Sequence, residues 1–133
     1  MATIKSYTDI EQSKVLAEIL PIESADGFWE YHDKWYSEGD EWEGYEDYPR
    51  AEPYLEYTRT ENEWKEDKSD MPCWSLAALL SILPKTIDHE TLFIETSPAL
   101  WHIGYRNVYT ARTDNPVDTC YELILKLNEL NLL

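Results

Sequence analysis

Apolar positions are densest between Met71 and Pro84, where Met71, Cys73, Trp74, Leu76, Ala77, Ala78, Leu79, Leu80, Ile82 and Leu83 are broken only by Ser75 and Ser81. On a helix two serines six positions apart do not share a face, so the run has no wet stripe and predicts a helix covered on most sides. Asp70 is placed to cap it, Pro72 suits a first turn where no N–H is needed, and Pro84 ends it. The run is too short to cross a bilayer, which takes about 20 apolar residues. The expectation is a buried central helix.

Helical spacing also marks both ends of the chain. Thr8-Asp9-Ile10-Glu11 has the form of a capping box, and Ile10, Val15, Leu16, Ile19 and Leu20 recur at helical intervals until Pro21, predicting a helix over 9–20. Asp114-Asn115-Pro116 signals a second onset. Val117, Cys120, Tyr121, Ile124 and Leu127 then define one face, helped by Leu123 and Leu130, with Asn128 its one polar member. Glu122 and Lys126 form an i,i+4 pair in the favourable order. This helix should end near Leu130-Asn131, with Leu132 and Leu133 tucked back or exposed.

Between the central and last helices the period changes to two. Glu90–Thr96 reads as a strand, Ser97-Pro98-Ala99 as a turn, and Leu100–Tyr105 as a second strand alternating Trp101, Ile103 and Tyr105 with His102 and Gly104. Arg106-Asn107 is either a tight turn or a bend or bulge before a third arm, Val108–Arg112. Upstream, Gly27–Tyr31 and Tyr54–Thr58 are aromatic enough for short strands. The acid- and aromatic-rich stretch 34–50, with Gly39 and Gly44 and no apolar period, reads as a surface loop. Phe28, Trp29, Tyr54 and Tyr57 are expected over the central helix, and Trp35, Trp42, Tyr45 and Tyr48 partly exposed. The sum is one small α+β domain, an antiparallel sheet packed with three helices.

Charge changes the picture more than length does. The 133 residues carry 27 acidic and 11 basic side chains, and residues 21–70 alone hold seventeen acidic and five basic ones together with eleven of the eighteen aromatics. Such a surface repels nucleic acid and anionic membranes and attracts basic proteins. No secretory leader, membrane span or lipidation motif stands at the N-terminus, which makes the cytoplasm the expected compartment. Cys73 and Cys120 lie in apolar patterns without a Cys-x-x-Cys spacing, so both read as buried thiols.

Motifs for chemistry are missing from the sequence. It has no phosphate-binding glycine loop, no Gly-x-Ser-x-Gly and no His-Glu-x-x-His, and only four glycines in all. Cys73 or Ser75 with His32, His89 or His102 would be the elements of a nucleophile and base, but the first two fall in the segment that composition buries. Asp40, Glu41, Glu43, Glu46 and Asp47 miss the EF-hand register, since the first ligand position relative to Gly44 is Gly39. No catalytic, cofactor-binding or metal-ligating residue is therefore expected.

The segments Gln12–Asp26, Met71–Pro84 and Asp114–Leu130, roughly a third of the chain, together resemble a group of uncharacterised small acidic proteins of gut bacteria and their phages and mobile elements. The resemblance implies a prokaryotic cytoplasm and a mobile-element origin, and it brings no activity with it. From the residues themselves, the expected function is a non-enzymatic interaction or regulatory protein. Its binding surface would be Trp35, Trp42, Tyr45 and Tyr48 with Asp40, Glu41, Glu43, Glu46 and Asp47, and its partner a basic protein. The alternative is a nucleic-acid mimic that occupies a DNA- or RNA-binding protein, and an enzyme with an unrecognised site comes third.

Overall fold

Helix α1 (Ile10–Ile19) opens on a capping box one residue later than the sequence predicts: Asp9 accepts from the Gln12 amide, and the Gln12 side chain accepts from the Asp9 amide. The computed structural model describes the backbone of residues 5–38, 41–53 and 70–133, and the side chains of residues 5–29 and 71–133. Thr8 loses the capping role because its hydroxyl is used elsewhere. It accepts the Trp74 N–H at 3.2 Å and lies 2.8 Å from the Ser13 hydroxyl, while the Thr8 N–H donates to the Trp74 carbonyl at 2.9 Å. Thr8 is fully buried, so these bonds replace water that cannot reach it. Replacing Thr8 with Val keeps the shape but strands the Trp74 N–H; urea unfolding should show a loss of about 1–3 kcal/mol.

A 3₁₀ turn, Ile22–Ser24, leads to β1 (Gly27–Glu38), which pairs antiparallel with β2 (Glu41–Pro53) and, over Gly27–Glu30 only, with β3 (Asp70–Cys73). Two expectations are corrected here. The stretch 34–50 is not a loop: apart from residues 39 and 40, which lie outside the described residues, it is paired strand. Met71–Cys73 is not the first turn of the central helix but a strand that, among the described residues, lies at the edge of this sheet, a place where Pro72 is tolerated. The predicted strand Tyr54–Thr58 lies outside the described residues.

The central helix α2 is consequently short, Leu76–Ile82. Ser75 caps it, accepting from the Ala78 amide, and is itself held by Asp26, whose carboxylate accepts from the Ser75 amide at 2.8 Å and from the Ser75 hydroxyl. Leu83 closes the helix just before Pro84. The apolar run nevertheless supplies the core: Cys73, Trp74 and Leu79 are wholly inaccessible to water and Leu83 nearly so, while Leu76, Leu80 and Ile82 are half-buried against them.

After α2 come a small hairpin, β4 (Thr86–Ile87) and β5 (Glu90–Thr91), and a three-stranded meander, β6 (Phe93–Ser97), β7 (Leu100–Tyr105) and β8 (Tyr109–Thr113). Asp88 and His89 both adopt positive φ, 50° and 69°, the twist that a two-residue hairpin needs. Arg106-Asn107 is a tight turn, with Asn107 at φ 65° and the Val108 amide bonded to the Tyr105 carbonyl. Helix α3 (Pro116–Glu129) is capped by Asn115 and packs on β7, β8 and α2 through Val117, Cys120, Leu123, Ile124 and Leu127. It ends in a Schellman motif: Asn131 is left-handed at φ 58°, its amide bonds the Asn128 carbonyl, and the Leu132 amide bonds the Leu127 carbonyl. Leu132 is thereby folded back onto the core, while Leu133 is exposed. Lys126 meets Glu129 at 3.6 Å and the Tyr109 ring, in place of the predicted pairing with Glu122. The architecture is α+β, a small single domain with, among the described residues, antiparallel sheets and three α-helices.

Burial also sets the alkaline limit of this fold. Desolvation, with a smaller contribution from Cys120, pushes the Tyr105 hydroxyl from its ordinary 10.0 to about 12, and burial pushes the Cys120 thiol from 9.0 to about 12. A raised folded pKa means that the unfolded chain loses the proton first as pH rises. The stabilisation is therefore complete below about pH 9 and declines from there toward about 12. Thermal melts at pH 7, 9, 10 and 11 should show a midpoint that falls progressively above pH 9.

Candidate interaction surface

The β1–β2 hairpin gathers the sequence-predicted binding residues onto one ribbon. Between Gly27 and Pro53 lie nine carboxylates, two basic residues and eight aromatics. The ladder sets Trp35 opposite Tyr45, His32 opposite Tyr48, Ser37 opposite Trp42, Lys34 opposite Glu46, Asp33 opposite Asp47 and Glu38 opposite Glu41. Glu43 is the extra residue of a β-bulge, because the register changes between Tyr36, paired with Gly44, and Ser37, paired with Trp42. Asp40 lies outside the described residues. From Tyr31 to Glu38, among the described residues, β1 pairs with β2 alone. Eight residues at about 3.3 Å each give this two-stranded part a length of roughly 26 Å.

The register itself is informative. Like charges directly opposite each other weaken an antiparallel pair, whereas aromatic and opposite-charge pairs strengthen it. Asp33 opposite Asp47 and Glu38 opposite Glu41 are unfavourable choices for a ribbon selected only for stability. Trp35 opposite Tyr45 and Lys34 opposite Glu46 are favourable ones. Asp33 and Glu38 were not among the candidates from sequence; they join the surface because the hairpin brings β1 alongside β2. The available signal was Gly39-Asp40, a two-residue hairpin dipeptide between two runs of alternating acid and aromatic residues.

The remaining candidates resolve into structural parts. Burial, and secondarily the Asp26 charge, holds the Cys73 thiol well above the ordinary range, and both cysteines are free and buried. Neither is a thiolate nucleophile at neutral pH. Ser75 is committed to Asp26 and to capping α2. Trp29 Nε1 donates to the Thr8 carbonyl at 2.9 Å, and the ring lines an open cleft of about 290 Å³ with Lys5, Ser6, Tyr7 and Asp9. The Lys5 ammonium is engaged there, 2.7 Å from Asp118 and 3.2 Å from Asp9. Burial lowers its pKa, and the hydrogen bonds to Asp118 and Asp9 more than reverse that, leaving it raised. Among the described residues no three His, Cys, Asp or Glu side chains are grouped to hold a metal, and no helix is long and apolar enough to cross a membrane. No family model, curated protein or solved structure matches the chain.

Proposed function

We propose that this protein is a non-enzymatic interaction or regulatory protein whose β1–β2 ribbon recognises a basic protein partner, in the bacterial cytoplasm and mobile-element setting that the sequence resemblance implies. The observation that carries the reading is the register: carboxylates placed opposite carboxylates, at a cost to the ribbon, beside an opposed Trp35 and Tyr45. A cationic partner removes that repulsion on binding, and indole and phenol rings are the side chains that most often anchor protein interfaces. The excess negative charge also speeds encounter with such a partner.

One observation favours a second, narrower form of this reading. Of the candidate acidic residues, Glu41, Glu46 and Asp47 lie at paired positions of β2 with fixed register and Glu43 in the bulge between them, and carboxylates held at fixed spacing are what a nucleic-acid mimic needs in order to occupy a DNA- or RNA-binding groove.

The double variant Trp42→Ala/Tyr45→Ala should lose capture of a partner from host lysate while its stability in urea falls by no more than about 1 kcal/mol, the worth of the Trp35–Tyr45 cross-strand pairing. An unchanged capture profile would remove the ribbon from the account. For the mimic, duplex DNA added to the captured complex should displace the partner; failure to displace it leaves the general interaction reading and removes the mimic.

A further inference from the structure

The outer face of the β6–β7–β8 sheet carries a row of three side chains that the ribbon reading does not use. Glu95 on β6, His102 on β7 and Arg112 on β8 are successive cross-strand partners. His102 Nδ1 lies 3.1 Å from Glu95 Oε1 and 3.3 Å from Arg112 Nη2. One imidazole nitrogen has either a lone pair or a proton in the ring plane. A guanidinium only donates and an ionised carboxylate only accepts, so these two contacts belong to different protonation states of that nitrogen.

We propose that His102 is a proton-operated latch: the neutral ring, with its proton on Nε2, accepts from Arg112 at Nδ1, and protonation of Nδ1 transfers the ring to Glu95 and releases Arg112. One proton is taken up from solvent and no bond other than N–H forms. The surroundings fit both positions. The ring is pinned edge-on by Phe93, 4.9 Å between centroids at 84°, with only 15% of the His102 side chain accessible. Among the described residues, Arg106 from the β7–β8 turn also reaches this group, 3.0 Å from Glu95 and stacked 4.2 Å above Phe93. Hydrogen bonds from His102 and then Arg106 hold the Glu95 carboxyl below the usual carboxylate range, and the Arg106 bond does not depend on the proton at Nδ1. Protonation adds one positive charge to this face and places it 3.3 Å from a guanidinium, which drives Arg112 off the ring. Acidification thus turns a paired row into a face with a free arginine, more attractive to anions.

The test is long-range ¹H–¹⁵N NMR on the full chain between pH 8 and pH 5, the interval in which imidazoles ordinarily change charge. At pH 8 His102 should be the Nε2–H tautomer, with Arg112 guanidinium protons exchanging slowly. At pH 5 Nδ1 should carry a proton, and Arg112 exchange should accelerate several-fold while that of Arg106 does not. An Nδ1–H tautomer at both ends of the range, or Arg112 exchange independent of pH, would overturn the latch and leave the ribbon untouched.

Discussion

Replacing Trp74 with Ala is expected to remove about 3–5 kcal/mol of stability, the range for deleting a buried aromatic. The ring is wholly shielded from water in the core cluster that includes Leu16 of α1 and Leu79 of α2, and the Ser24 hydroxyl of the 3₁₀ turn accepts from its Nε1 at 2.9 Å. Its peptide group is the partner of Thr8, so the ring and the backbone on either side of it are fixed from different parts of the chain. Small domains are stable by about 5–15 kcal/mol, so the variant should be marginal at room temperature. Urea unfolding measures this directly. Trp74→Phe, which keeps most of the volume and loses the N–H, should cost less than the alanine variant, whereas a loss below about 1 kcal/mol for Trp74→Ala is not compatible with a buried indole.

Gly104→Ala should be the next most damaging single change. A methyl group at that position would lie 2.5 Å from the Tyr109 carbonyl oxygen and 2.6 Å from Thr110 Cα. Both are backbone atoms of β8, the strand that Gly104 itself pairs with. A flexible side chain would swing aside, but these atoms move only if β7 and β8 separate. That would disturb Ile103 and Ala111, the opposed core residues one position away. Overpacking costs typically about 1–3 kcal/mol, and contact with backbone places this case at about 3. Calorimetric or urea unfolding should show it. A variant within about 0.5 kcal/mol of wild type would mean that the strands are farther apart here than described.

What the sequence discloses follows from how local the determining interactions are. Helix α3 was legible because its cap, its proline and its apolar face are all encoded within Asn115–Glu129. β7 was legible because Leu100–Tyr105 alternates. The onset of α1 was misplaced by one residue because Thr8 with Glu11 and Asp9 with Gln12 are equally good boxes; a bond from Trp74, distant in sequence, decides between them. Met71–Cys73 was misread for a related reason. A short apolar run has no period that separates buried strand from buried helix, and the deciding ladder comes from Gly27–Glu30. The ribbon was the largest miss. Glycines and carboxylates lowered its strand propensity, and the cross-strand pairing of positions such as Trp35 and Tyr45 exists only once the hairpin register is known. The candidate binding residues were found from composition alone, while their arrangement, and the membership of Asp33 and Glu38, required the pairing.

The central claim, that the β1–β2 ribbon is the recognition surface, is tested most directly by amide hydrogen exchange on the protein alone and bound to its captured partner. Exchange between Tyr31 and Pro49 should slow on binding, by tenfold or more at the centre of the contact, with α1 and α3 unchanged. Slowing confined to the β6–β7–β8 sheet or the helices, with the ribbon exchanging as fast in the complex as alone, would contradict it.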